Sequence, residues 1–278
     1  MSTTDSTEKL EASFAAAREM ASTASEGVFP AMGEHLLERS GRVLDLTRPL
    51  FEGMPMWFGH QKMFIFTNQD HEGFKRVWKT NAGFYARNLL MSEHTGTHCD
   101  AINEYDPQGG AIDELPLTFY WGSAVCLDLS EAKFQKPDPE GRGYATEEVV
   151  RRAEEKLEAA GESIQPGDIV LNWFDYGDRT FPNQEFIDDF PGFAWDGIEY
   201  LAKKGVVNVG TDCAGIDNSL DAEFSAHMVC KKYGIVNTEN LTQLGELVNT
   251  RFQFFGLPLN IIGGTGSPIR AIAWYPAD

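Results

Sequence analysis

The chain has few cysteines, and their spacing matches neither a disulfide scaffold nor a structural zinc site. The four cysteines, at positions 99, 126, 213 and 230, are scattered and contain no Cys-x-x-Cys pair. Small secreted domains that depend on disulfides use cysteine densely and in pairs. The spacing therefore predicts free, buried thiols in a reducing cytoplasm.

Positive charge and long apolar runs are also scarce. Lysine and arginine total 23 against 42 acidic residues, which gives a net charge of −19. Because this charge repels phosphate groups, nucleic acid and anionic membrane surfaces are excluded as predicted partners. No apolar run approaches the roughly 18 residues that cross a bilayer, and a Gly-x-Ser-x-Gly nucleophile motif is absent. A small molecule is therefore the predicted partner.

The 278 residues contain no repeat and no linker rich in Pro, Gly or Ser. This organisation predicts one elaborated catalytic domain over residues 41–278. Residues 1–40 are polar and then alanine-rich, without the cationic start and apolar core of a signal peptide. They are predicted to form an N-terminal helical arm, helix-prone from about Glu8 to Ala21, with a disordered tail as the alternative.

The remaining chain is predicted to be a mixed α/β domain, since strand patterns outnumber helical ones and do not alternate strictly with them. The strand-like runs are 43–48, 62–67, 86–92, 123–129, 168–173, 206–210, 252–256 and 268–274. The helical patterns are 145–160, with Thr146 as a candidate N-cap, 194–204 and 217–232.

The most informative motif is His94-Thr-Gly-Thr-His98-Cys-Asp100, which offers two imidazoles and a carboxylate to one divalent cation. Two threonines and a glycine disfavour a helix there. In an extended segment His94, His98 and Asp100 share one side, and Cys99 faces the other. Gly96 allows the bulge or turn that brings the imidazoles together.

Such a ligand set suits Zn²⁺, Mn²⁺ or Fe²⁺, and we expect Zn or Mn. Three protein ligands leave coordination positions open, which is typical of a catalytic site. The alternative is a polar loop in which both histidines are ordinary and Asp100 forms a turn.

These residues resemble the signature HxGTHxDxPxH of the cyclase family of metal-dependent hydrolases, the group of kynurenine formamidase and isatin hydrolase. The matching positions are His94, Gly96, Thr97, His98 and Asp100. The chain departs twice, with Ile102 where the family has Pro and Glu104 where it has the last His. Further segments are similar in the same order, at 45–57, 167–171, 210–239 and 264–270. The resemblance implies a swivelling β/β/α fold in a homodimer or homotetramer.

The resemblance also implies roles for particular residues. His94, His98 and Asp100 would bind a first metal, and Asp100 would bridge to a second one held by His227 and Glu239, giving one or two ions per chain. The alternative for His227 is a capped or core histidine, and the alternative for Glu239 is a carboxylate at the start of a helix.

Two further positions correspond to family residues near the substrate. Glu104 stands where the family has the proposed acid–base histidine, and we expect it to transfer the proton of the metal-bound water. The alternatives are that Glu104 is itself a metal ligand or is a solvated carboxylate. Trp57 is expected to line the substrate pocket or to pack in the core. Other aromatic residues considered for the pocket are Phe58, Phe84, Trp173 and Phe174.

The function expected from these observations is a metal-dependent hydrolase that acts on carbon–nitrogen bonds other than peptide bonds. Metal-activated water would open a small aryl or heterocyclic amide, cyclic amide or lactone. The alternatives are a metal-dependent lyase or isomerase acting on a small carbonyl compound, and a non-catalytic small-molecule-binding homologue.

Overall fold

The structure, a computed structural model, describes residues 41–134 and 143–276. The predicted helical arm, residues 1–40, lies outside these ranges. The helices are α1 His71–Trp78, α2 Glu147–Ala159, α3 Gly177–Thr180, α4 Glu185–Asp188, α5 Trp195–Lys203 and α6 Ser225–Tyr233. The strands are β1 Gly41–Asp45, β2 Phe64–Gln69, β3 Ala86–Leu90, β4 His98–Asp100, β5 Trp121–Asp128, β6 Tyr144–Ala145, β7 Ile169–Trp173, β8 Gly192–Phe193, β9 Asn208–Thr211, β10 Val236–Glu239, β11 Arg251–Phe255, β12 Gly266–Pro268 and β13 Ile272–Pro276.

Nine strands form the main sheet, in the order β1-β13-β11-β5-β7-β9-β10-β4-β12. Strands β5, β7, β9 and β10 are parallel, whereas β13, β11, β4 and β12 join by antiparallel pairing. Two small sheets, β2-β3 and β6-β8, complete the strand pairing of the described residues. The predicted mixed α/β sheet is confirmed.

Apolar side chains cover both faces of the parallel strands. Along β5, Val125 and Leu127 belong to one buried cluster, while Ala124 and Cys126 belong to the other. Helices α2, α5 and α6 pack their apolar stripes against the first cluster. Leu157 of α2 is fully buried, which contributes about 1.5–3 kcal/mol. The two-sided burial explains why these strands read as continuous apolar runs.

The four cysteines are free and buried, as predicted. Within the described ranges, no helix has both the length and the apolar composition needed to cross a membrane.

Each predicted strand overlaps an observed one, but several elements were missed or misplaced. The prediction omitted α1, α3, α4, β6, β8, β10 and β12. The helix predicted over 217–232 begins only at Ser225, because Phe224 before it has a left-handed backbone (φ +51°) that a helix cannot continue through. The carboxylates of Asp221 and Asp217 accept from the first helical N–H groups, those of Ser225 and Ala226. Thr146 does occupy the N-cap position of α2, but its side chain makes no capping hydrogen bond.

Gly197 in α5 provides a test of this packing. A Cβ at Gly197 would lie 1.9 Å from the carbonyl oxygen of Ala145, so a larger side chain forces α5 off the β6–β8 sheet. We expect Gly197→Ala to destabilise the protein by about 1–3 kcal/mol or more, although alanine normally favours a helix. Thermal unfolding should show a lowered Tm. The exposed Asp196→Ala variant is the control and should cost under about 1 kcal/mol; equal Tm values would contradict the packing argument.

Candidate metal centre and cavity

Strand β4 holds two of the predicted ligands and lies between β10 and β12. His98 pairs in register with Glu239 of β10, and Asp100 pairs with Gly266 of β12. Alternation along the strand turns Cys99 to the opposite face, where it is fully buried. Register thus brings predicted ligands from two distant segments to one face of the sheet.

The turn before β4 brings His94 back over the strand. Gly96 has a φ of +67°, and a Cβ at this position would lie 2.5 Å from Leu50 Cδ2. The segment is therefore a turn followed by a strand, as predicted, and not a helix. As a result His94 Nδ1 lies 2.7 Å from Asp100 Oδ1.

Hydrogen bonds orient each imidazole so that one nitrogen faces the carboxylates. His98 Nδ1 donates to the carbonyl oxygen of Gly96 (2.8 Å), which leaves Nε2 at 3.4 Å from Asp100 and 3.5 Å from Glu239. His94 uses the opposite nitrogen, because its Nε2 bonds to Thr265 Oγ1 (3.0 Å).

His227, in α6, has the same kind of support. Its Nδ1 bonds to the carboxylate of Asp217, and its Nε2 lies 3.9 Å from Asp100 and 3.6 Å from Glu239. A carboxylate behind an imidazole is a common support for a metal ligand. The structure thus places His227 at the centre and not within the core.

The possible ligand atoms form two groups that share one carboxylate. The first group is His94, His98 and Asp100, and the second is Asp100, His227 and Glu239; within each, the ligand atoms lie within 4.8 Å of one another. Glu239 ends strand β10, so the alternative of a helix-start carboxylate is wrong. The Asn237 amide donates to both Asp100 (2.5 Å) and Glu239 (3.0 Å), which aligns the two carboxylates.

The electrostatics of the centre fit a cation. Burial lowers the pKa of His98 to about 4, so this imidazole is neutral and its Nε2 lone pair is available. Burial also works against protonation of His94, but the Asp100 carboxylate outweighs it and raises the pKa of His94 to about 9. The same negative potential that holds a proton there would hold a divalent ion.

Glu104 lies directly after β4, in a short 3₁₀ turn formed by Ile102–Glu104. Its Oε1 is 3.5 Å from His94 Nδ1, which rules out a purely solvated carboxylate. Burial, reinforced by Asp100, raises the pKa of Glu104 to about 8. A bound cation would lower this pKa. The Glu104 carboxyl group could then gain and lose a proton near neutral pH.

The centre opens into a cavity of about 740 Å³. Trp57 lines this cavity and also packs against the buried cluster through Phe190. Phe58 lines it too. Trp173, Phe174 and Phe84 do not, because Trp173 and Phe174 pack in the core and Phe84 is exposed beside Phe74.

Sequence reasoning missed several supporting residues. The Thr265 hydroxyl accepts from His94, 171 positions away in sequence, and donates to the Glu93 carboxylate (2.8 Å). We refer to this hydrogen-bonded chain of three side chains as the relay. Asn237 and the cavity-lining His60 were also missed. No spacing signal could have found them, since each becomes adjacent to the centre only through sheet pairing and loop packing.

Removal of the Thr265 hydroxyl tests this relay. In Thr265→Val, the His94 N–H loses its acceptor and the ring is no longer oriented, so metal affinity should fall about 10–100-fold. Competition with a metallochromic indicator measures this directly. The exposed Thr67→Val variant should keep the wild-type affinity, and an unchanged affinity in Thr265→Val would show that the relay is dispensable.

Sequence comparison places the chain among known proteins. The Cyclase family model ("Putative cyclase") matches residues 44–218. Kynurenine formamidase of Salinibacter ruber is 30% identical over 234 residues, which cover 83% of this chain and 96% of the relative. The Erythrobacter litoralis kynurenine formamidase is 29% identical over 235 residues, covering 83% and 93%.

Solved structures share the fold. An isatin hydrolase bound to the product analogue thioisatinate superposes with a TM-score of 0.74 at 24% identity, covering 91% of this chain and 99% of the other. Isatin hydrolase A from Labrenzia aggregata, bound to benzyl benzoate, gives a TM-score of 0.73 at 24% identity, with 90% and 99% covered. The predicted fold type is confirmed by these likenesses.

Proposed function

The chain belongs to the cyclase family, and from this premise we propose that it hydrolyses a small aryl or heterocyclic amide or cyclic amide. The predicted class, a metal-dependent hydrolase acting on non-peptide carbon–nitrogen bonds, is confirmed by the relatives, whereas the substrate is our proposal. The observation that carries the proposal is the convergence of both ligand groups and Glu104 on one apolar-walled cavity.

We propose Zn or Mn as the metal, with one or two ions per chain. His94, His98 and Asp100 would hold the first ion, and Asp100, His227 and Glu239 a second. A divalent ion bound there would lower the pKa of water and polarise the substrate carbonyl. Glu104 would accept the water proton and pass it to the leaving nitrogen, and Trp57 would pack against the aryl part of the substrate.

Exposed apolar side chains support the proposed homodimer or homotetramer. The β2–β3 sheet and α1 expose large apolar groups, namely Phe64, Phe66, Val77, Trp78, Leu89 and Leu90. Phe64 and Leu90 are paired across the two strands, and larger exposed apolar areas are typical of protein–protein contact sites. Light scattering coupled to size exclusion should give two or four chain masses. The cytoplasm is the proposed location, in line with four free thiols.

One experiment tests the proposed activity. Protein purified without chelator or nickel resin should carry one to two equivalents of Zn or Mn by inductively coupled plasma mass spectrometry. With formanilide and isatin in ¹⁸O-water, the acid product should gain one ¹⁸O atom. Turnover without label would indicate a lyase or isomerase instead. Metal below a tenth of an equivalent, unchanged after incubation with each ion, would remove the basis of the proposal.

A further inference from the structure

One loop supplies an unbroken part of the cavity wall, and it is acidic. All residues of 217–224, between β9 and α6, line the cavity. The loop contributes three carboxylates, those of Asp217, Asp221 and Glu223. The Asp217 carboxylate is already hydrogen-bonded to His227. Asp221 accepts from the backbone N–H groups of Glu223 and Ser225, both at 3.0 Å, so its carboxylate is fixed in place. Glu223 is exposed and has no ion-pair partner among the described residues.

The described part of the cavity wall contains no lysine or arginine to balance these charges. The carboxylates that line the cavity are Glu104, Asp217, Asp221, Glu223 and Glu239. Asp100, shared by both ligand groups, is the sixth carboxylate of the site. Two divalent ions would neutralise four of these six charges. Negative charge therefore remains within a partly water-excluded space.

An aromatic side chain accompanies the acidic groups. Phe224 follows Glu223 in the chain, is 47% exposed and lines the same cavity. Its ring lies 6.3 Å from that of His227, which places it beside the centre. An aromatic face combined with carboxylates is the chemistry that recognises ammonium groups, through cation–π attraction and charge pairing.

We propose that the loop 217–224 selects a substrate with a positively charged nitrogen group on the part of the molecule away from the scissile amide. Asp221 and Glu223 attract the charge, Phe224 packs against its carbon substituents, and anionic analogues are repelled. This inference rests on the proposed function, because it assigns a substrate class to the same site.

Binding of two charged probes tests the selection without turnover. Benzyltrimethylammonium and phenylmethanesulfonate have similar shapes and opposite permanent charges, and only the sulfonate can approach a metal as a ligand. Isothermal titration of the metal-loaded full chain should show one cation site per chain, with a Kd at least about tenfold below that of the sulfonate. This preference should shrink as ionic strength rises from about 0.01 M to about 1 M. Equal Kd values, or tighter sulfonate binding, would overturn the inference.

A charge reversal assigns the effect to the loop. Glu223→Lys should reduce the ratio of the two Kd values about tenfold. Glu158→Lys changes the net charge equally on the exposed side of α2 and should leave the ratio as in wild type. An equal fall of the ratio in both variants would mean that net charge and not the loop selects the ligand, and no fall in Glu223→Lys would overturn the assignment.

Turnover separates this inference from the proposed function. Formanilide is neutral, so its hydrolysis tests the reaction alone. Selective ammonium binding without hydrolysis of formanilide or its 4-aminomethyl derivative would refute the hydrolase proposal and leave the charge selection standing. Hydrolysis of formanilide with equal kcat/KM for 4-aminomethyl and 4-carboxymethyl derivatives would refute the charge selection and leave the hydrolase standing.

Discussion

Replacing His98 with alanine is expected to empty the group formed by His94, His98 and Asp100 and to lower kcat/KM at least about a thousandfold. His98 is buried, and its Nε2 is directed towards both Asp100 and Glu239. Without this imidazole only His94 and Asp100 of that group remain, and Asp100 is shared with the second group. Mass spectrometry should show metal content falling in step with activity.

The control for His98→Ala is a histidine away from the centre. His71 is exposed at the start of α1, so His71→Ala should retain both metal and activity. Circular dichroism should show both variants folded, since His98 belongs to neither apolar cluster of the core. Full metal content together with full activity in His98→Ala would refute the proposed centre.

Glu104→Gln is expected to lower kcat about 10²–10⁴-fold while metal content stays at the wild-type level. Glutamine has nearly the same shape but cannot accept a proton, so the change separates proton transfer from packing. The rise of activity with pH that depends on ionisation of Glu104 should also disappear. A matching loss of metal would instead identify Glu104 as a ligand.

Two variants complete this test. Glu104→His restores the residue found in the family motif and should recover part of the lost kcat, because an imidazole can move the same proton. Glu246→Gln removes an exposed carboxylate that neither lines the cavity nor belongs to a ligand group, and it should leave kcat unchanged. A Glu104→Gln enzyme with wild-type kcat would show that Glu104 takes no part in proton transfer.

Much of the candidate centre could be predicted because three of its possible ligands lie in one short motif. His94, His98 and Asp100 follow each other within seven residues, and a glycine between the histidines signals the turn that joins them. The buried strands β5 and β7 were equally clear, since apolar residues cover both of their faces. In both cases the signal lies within a few neighbouring residues.

The parts that escaped prediction depend on distant partners. Strand β10 is only four residues long, and β12 only three, too short for a periodic pattern. Helix α6 was predicted to begin at 217, but it begins only after Phe224, whose left-handed backbone conformation interrupts any helix there. Thr265 and Asn237 carry no sequence signal, since only pairing in the sheet brings them to the ligands.

The alignment of β4 between β10 and β12 has a consequence for how the protein acquires its metal. Asn237 and Asp100 are 137 positions apart in sequence, and His94 and Thr265 are 171 apart, so the centre exists only once these long-range pairings have closed. Ions therefore bind the folded chain and not its earlier, partly ordered states. By mass action, each tenfold excess of free metal over its Kd should add about 1.4 kcal/mol to the free energy of unfolding. The melting temperature should therefore rise with metal concentration, and this dependence gives the affinity for the ion.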